Sequence, residues 1–260
     1  MNVTSALLLD WIANYFWPLT RISSMMMVMT FFGARFVSPK IRLYLSLTVT
    51  FAVMPMLPAV PKEIELLSFE GFLITGQQVI IGVAMGLVTQ FVTQVFVLLG
   101  QILGMQSSLG FASMVDPANG QNTPVLGQLY MMLALMLFLT TDGHLMMLNL
   151  VVLSFTTLPI GESMLRPTDY YQLAGWFGLM FKMGLNMALA GIIALLTVNL
   201  SFGVMTRAAP QLNIFSLGFS FALLIGLLIS WFLVAGIMPH YEYSWELGFG
   251  QICSLIRVDC

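Results

Sequence analysis

The chain has 260 residues, of which 59% are hydrophobic and only 8% charged, with a formal net charge of −2 and a mean hydropathy of +0.94. Soluble domains carry about three times that share of charge, so a soluble globular fold is excluded. No basic run suited to nucleic acid occurs, and the apolar runs do not alternate as the strands of a membrane barrel would.

The reading is therefore an all-α, polytopic helical membrane protein, long enough for about six spans of roughly 20 apolar residues each. Six helical regions are expected, at about residues 5–34, 41–60, 70–103, 126–157, 172–204 and 212–238. Pro39, the Pro55/Pro58/Pro61 cluster, "LPIGESMLRP" and Pro210 mark the breaks between them. No tandem repeat or linker points to a second domain, so residues 1–260 are read as one membrane domain.

The N-terminal stretch "MNVTSALLLDWIANYFWPLTRISS" has neither a basic n-region nor a small-residue cleavage site, and it is expected to be retained. Asp10 and Arg21 fall within this apolar segment, where isolated charges are expensive, so they are expected to face partner protein or the interface. A methionine run follows (Met25, Met26, Met27, Met29), part of a total of 21 methionines. Flexible thioethers suit surfaces that repack or close a hole of variable shape, and they also serve as plain apolar filler. Arg35, Lys40 and Arg42 then form the one basic cluster, which the positive-inside rule places on the cytoplasmic side.

The third region is unusual in length and in its faces. No charge occurs between Glu70 and Asp116, about twice what a bilayer needs. Gly86, Thr89, Gln90, Thr93, Gln94 and Gln101 lie at helical spacing, with Gln77 and Gln78 a few turns earlier. Such a stripe is expected to meet other helices or a cavity, because lipid offers it no hydrogen-bond partner. Gly82 with Gly86 and Gly100 with Gly104 signal close helix packing, as does the ladder Gly218, Ala222, Gly226, Ser230.

Between residues 100 and 128, "GQILGMQSSLGFASMVDPANGQNTPVLGQ" interrupts the apolar pattern without a single Lys or Arg. Gly104, Gly110 and Gly120 permit turns, while Asp116-Pro117 and Thr123-Pro124 break any helix. Met105, Leu109, Phe111 and Met114 can fill an irregular hole. Irregular backbone survives at membrane depth only when buried in protein or lining a cavity. Two readings follow: a constriction or plug, or a re-entrant or interfacial connector.

Chemistry finds little support. Asp142 and His144 in "TTDGHLMMLN" are ionisable groups within an apolar region, and with Lys182 they could serve a proton-coupled transporter. No second His or carboxylate stands at i+3 or i+4, so no metal site is expected. Alternatively Asp142-Gly143 only breaks the helix, with Thr140, Thr141 and Asp142 capping exposed amides. Cys253 and Cys260 imply neither a disulfide framework nor a zinc site. No nucleophile-base set, phosphate loop or dinucleotide fingerprint is present, so neither enzymatic activity nor a cofactor is expected.

Three segments resemble a known family. "GMQSSLGFASMVDP" followed by "PVLGQ", then "LFLTTDGHLMMLNLVVLSFTTLPIG", then "GVMTRAAPQLNIFSLGF" are similar to the signature blocks of the FliR family of flagellar export-gate membrane proteins, whose injectisome counterpart is SctT. The likeness runs from about residue 76 to 236.

The resemblance implies a non-enzymatic unit made of FliP-like and FliQ-like helical hairpins. Such a unit assembles with FliP and FliQ, and with FlhB and FlhA, in the bacterial inner membrane at the flagellar basal body. Unfolded flagellar subunits are the substrates passed through that gate. It further implies a plug loop at residues 106–122, starting at Gln106, with Gly110, Phe111, Met114, Asp116 and Pro117 at the motif positions. Arg207, Pro210, Gln211 and Asn213 match the family's "RxxPQxN" block. There they either stabilise a turn against a neighbour or simply cap and turn the chain. Under the same resemblance Gly82, Gly86, Gln90, Gln94, Gln101, Asp142, His144, Gly218, Ala222 and Gly226 are expected at contacts between subunits.

Overall fold

The structure, a computed structural model, describes residues 5–34, 37–58, 60, 66–111, 113–115, 122–161, 165–208, 214–258 and 260. Eight α-helices are found among them: α1 (Ser5–Val28), α2 (Pro39–Val53), α3 (Phe69–Gln106), α4 (Val125–Thr140), α5 (Gly143–Thr157), α6 (Pro167–Ala208), α7 (Ile214–Ala235) and α8 (Ile237–Ile256). One short antiparallel pair, β1 (Ser113–Val115) and β2 (Asn122–Pro124), joins Met114 to Thr123 and Val115 to Asn122. The all-α expectation holds, and all six expected regions are helical.

The differences are informative. Pro39 does not simply end a region; it opens α2 at the first helical position, where its missing N–H costs nothing. The fourth region is two helices, because Asp142 takes the left-handed conformation at φ 55° and ψ 24°. Its carbonyl then accepts the Leu145 and Met146 amides at 2.9 and 3.0 Å. Asp142 breaks the helix as expected, but its side chain makes no cap bond.

The tail beyond residue 238 is also helical. Pro239 falls in the first turn of α8, where proline is tolerated. At the other end of α8, Arg257 adopts φ 59°. Val258 N–H bonds the Cys253 carbonyl at 3.0 Å and Arg257 N–H the Ser254 carbonyl at 3.3 Å, the paired bonds of a Schellman cap. That reversal returns Cys260 to Cys253 with Cα atoms 6.1 Å apart, and the two form a disulfide. The absence of a disulfide read from sequence is thereby corrected: nothing in the spacing of two cysteines announces a left-handed residue between them.

The chain divides into two compact units. The first comprises residues 1–90, 139–176 and 247–260; the second comprises 91–138 and 177–246.

In the first unit α1 and α3 lie side by side and parallel. Trp17 Nε1 donates to Thr75 Oγ1 at 3.1 Å, Arg21 Nε to Gln78 Oε1 at 2.7 Å, and Thr30 N and Oγ1 to Thr89 Oγ1 at 3.1 and 3.2 Å. Gln90 Nε2 reaches the Val28 carbonyl at 2.9 Å. The sequence offset between most of these partners stays at 57 to 59 residues, which only parallel helices allow. Between the polar contacts the helices touch through glycine. A methyl on Gly86 would stand 2.8 Å from the Met25 carbonyl oxygen, and one on Gly82 would strike Ser24 and Arg21. Trp17, Ile22, Met25, Met26 and Met29 are buried, whereas Met27 is 55% exposed; the methionine run is mostly core.

Candidate functional site

The segment singled out from sequence is shorter and better anchored than its composition indicates. Helix α3 continues through Gly100 and Gly104 to Gln106, so these glycines make contacts and not turns. A methyl on Gly100 would lie 2.5 Å from the Leu126 carbonyl oxygen and 2.6 Å from the Gly127 Cα. One on Gly127 would meet Gln101 Cγ at 3.3 Å, and one on Gly104 would meet Pro124 Cβ at 3.3 Å. The end of α3 and the start of α4 are thus clamped backbone to backbone. Beyond the clamp, the strands Ser113–Val115 and Asn122–Pro124 pair with each other.

The outgoing stem has its own fixings. Ser107 is fully buried and donates from Oγ to the Leu103 carbonyl at 2.8 Å. It fills the space that the missing side chain of Gly226 leaves on α7. Asn199 Nδ2 of α6 donates to the Gln106 carbonyl at 3.4 Å. The turn itself is made by Ser108 at φ 65°, a position where any side chain but glycine is disfavoured. Gly110 sits in the short 3-10 turn Leu109–Phe111, where a methyl would stand 3.2 Å from the Met105 Cα.

Met105 is 67% exposed and Leu109 is half-buried. Met114 lies on β1; its side chain and that of Phe111 are outside the described set, as are Asp116, Pro117 and Gly120 altogether.

The residues expected at subunit contacts divide differently. Gly82, Gly86 and Gln90 are filled by α1 of the same chain. The α7 ladder also packs inward: Gly218 faces Phe202, Gly226 faces Ser107, and Ala222 and Ser230 are buried. Tyr130 of α4 donates its hydroxyl to the Ser230 carbonyl at 3.1 Å. Small residues permit close approach whichever helix supplies the neighbour, and the sequence does not say which. Gln94 and Gln101 are half-buried. Arg207 is exposed in the last turn of α6, a favourable place for a cation; Pro210, Gln211 and Asn213 lie outside the described residues.

Asp142 is exposed, and His144 keeps a buried Nδ1 with no partner among the described residues. Lys182 is exposed on α6. Among the described residues no group of three or more His, Cys, Asp or Glu side chains could hold a metal ion.

The site that sequence reasoning missed is built on Arg21, expected at a partner or the interface and found fully buried. Its Nη1 donates to the Ser154 carbonyl and hydroxyl at 2.9 and 3.0 Å, and its Nη2 to the Leu158 carbonyl at 2.8 Å. The guanidinium carbon lies 4.2 Å from the centre of the Phe155 ring. All these acceptors are neutral. The Ser154 and Leu158 carbonyls belong to the C-terminal end of α5, where the helix dipole concentrates negative charge. One planar fork therefore joins α1, α3 and α5. A lone Arg in an apolar helix is a visible signal, but its partners stand 57 to 137 residues away.

Helices α3, α6 and α7 are long and apolar enough to cross a membrane, and α4 with α5 add a broken span if counted together. Fold and site thus define a multi-pass helical membrane protein in which one long apolar helix, α3, is clamped at its end to the start of α4. The sequence pattern of the bacterial export proteins, family 1, matches residues 12–248. The chain belongs to that family, and within it to the FliR proteins. It is 38% identical over 256 residues to the flagellar biosynthetic protein FliR of Escherichia coli K12, covering 98% of this chain and 97% of that protein. It is 34% identical to its counterpart from Pectobacterium carotovorum over 96% of this chain and 95% of that one. The Aquifex aeolicus protein is 26% identical over 80% of each. These matches extend the likeness into the N-terminal third, where no motif is legible.

Proposed function

We propose that this chain is a structural and gating component of the flagellar type III protein export gate, in the bacterial inner membrane at the flagellar basal body. It acts as a single membrane domain that assembles with FliP and FliQ, contacts FlhB and FlhA, and passes unfolded flagellar subunits outward. It performs no covalent chemistry. The observation that carries this reading is the loop at residues 107–124, uncharged but for Asp116, held at its neck by Gly100 and Gly127 and pinned at its start by Ser107 against Gly226.

The mechanism is steric and hydrophobic. Met105, Leu109, Phe111 and Met114 close a pore against water and ions, because a constriction lined by apolar groups dewets. Gly110 and Gly120 let the loop move while the clamped stems stay in place. Opening then costs only contacts made by the loop and leaves the α3–α4 neck intact.

Deleting residues 110–114 tests this directly. Cells carrying the deletion are expected to leak ions across the inner membrane while the variant still assembles with its partners. A tight membrane with the variant present in the complex would show that the loop is not a plug.

A further inference from the structure

In the first unit, α1 and α2 leave a groove of about 200 Å³ between them, lined by Ile12, Phe16 and Leu19 on one side and Leu47 and Phe51 on the other. Its wall is held by the ring contact of Tyr15 with Phe51, 5.2 Å between centres. The one hydroxyl of α2 in it, Thr50, is turned onto the Ser46 carbonyl at 2.7 Å. The groove is open to the outside: Ile12, Phe16 and Phe51 are 44%, 39% and 58% exposed.

Charge stands at one end of it. From residue 11 to residue 62 the sequence contains no acid, whereas Lys40 and Arg42 stand at the start of α2 and Arg35 precedes it in sequence. Lys40 is exposed in the first turn of α2. Arg42 donates through Nη2 to the Ala34 carbonyl, and its buried Nε has no partner among the described residues. Leu47 lies seven residues beyond Lys40 and Phe51 eleven, which is about 10.5 and 16.5 Å along a helix and within about 20° of the same face.

That is the spacing of a phosphate and the start of its acyl chains. The polar layer of one leaflet is about 5–8 Å deep before hydrocarbon begins. At 15 residues α2 is about 22 Å long, too short to span and long enough to enter one leaflet. Basic groups on the cytoplasmic side also face the leaflet that carries anionic lipid.

We propose that the α1–α2 groove binds an anionic glycerophospholipid, with Lys40 on its phosphate and one acyl chain along Phe16, Leu47 and Phe51. The inference needs only the membrane location of the chain and not its part in export.

The test uses the full chain extracted with whatever it assembles with, reconstituted in nanodiscs of mixed phosphatidylglycerol and phosphatidylethanolamine, and retained lipid is counted by mass spectrometry after detergent washing. The wild-type protein should keep phosphatidylglycerol in preference to phosphatidylethanolamine. Lys40→Glu, at an exposed position that does not support the fold, should weaken that preference roughly tenfold or more. Leu47→Trp, which fills the groove and leaves the charges in place, should lower retention of phosphatidylglycerol as well. A photo-crosslinker at Phe16 should give lipid adducts. Equal retention of the two lipids by the wild type, no effect of either variant, or protein adducts from position 16 would overturn the proposal.

Discussion

Helices α3 and α6 have almost the same hydropathy, 1.9 and 2.0, and nearly the same length, yet the apolar stretch of α3 is 61% buried within the chain and that of α6 only 22%. Their glycines tell the same story. Gly82, Gly86 and Gly100 on α3 are pressed against neighbouring backbone, whereas a methyl added at Gly175 or Gly178 on α6 would meet nothing within 4 Å. On α6 one face is used, with Gly184 and Gly191 receiving Leu98 and Leu103 of α3. Beyond that contact α6 exposes an apolar row from Phe177, whose ring meets Phe91 at 5.6 Å between centres, through Phe181, Leu185, Leu189, Ile193, Leu196, Leu200 and Val204.

Mean hydropathy therefore says little about where an apolar helix goes. The placement of polar groups separates the two helices: Thr75, Gln78, Thr89 and Gln90 of α3 share the face that bonds α1 and the turn after it. In lipid those groups would lack partners, so a polar stripe is directed to the protein interior. Helix α6 is also about 63 Å long, twice the hydrocarbon thickness. Lipid can cover only part of this row.

The buried side of the comparison breaks hardest at Arg21. Arg21→Met leaves Gln78, Ser154 and Leu158 without their donor and uncaps α5, and it should destabilise the chain by about 3–5 kcal/mol. Thermal or denaturant unfolding in detergent checks this. Arg21→Lys should rescue little, because a single ammonium cannot span acceptors on three helices.

A matched pair of glycine substitutions comes next in size. Gly100→Ala places a methyl against Leu126 and Gly127 and should cost about 1–3 kcal/mol. Gly178→Ala meets open space in a helix interior and should stabilise by about 0.5–1 kcal/mol. Equal signs in the two unfolding curves would contradict the division between the helices.

The smallest effect on the isolated chain is expected for Leu189→Gln with Ile193→Gln on α6. Both side chains are exposed, at 45% and 61%, so stability should change by less than about 0.5 kcal/mol per site. Co-purification of partner subunits, in contrast, should fall sharply. Unchanged co-purification would mean that lipid and not protein covers this stretch.

Several features were readable before any coordinates. The polar stripe of α3, the close packing at Gly82, Gly86 and Gly226, and the helix break at Asp142 all follow from residue type and spacing. Whether a small-residue face meets the same chain or another one did not follow, since the packing rule is the same in both cases. Helix α8 was hidden by Pro239 and its charged residues, which read as a tail until proline is seen to occupy the first turn.

Composition and periodicity by themselves determined the class, the helical regions and the position of the apolar loop, because bilayer thickness and the 3.6-residue repeat act locally along the chain. Only the tertiary structure decided that α1 and α3 run parallel in register, that Gly100 clamps Gly127, that Arg21 caps α5, and that Cys253 meets Cys260. Each of these depends on backbone that is distant in sequence or locally left-handed, and neither property is encoded in the periodic pattern of apolar residues.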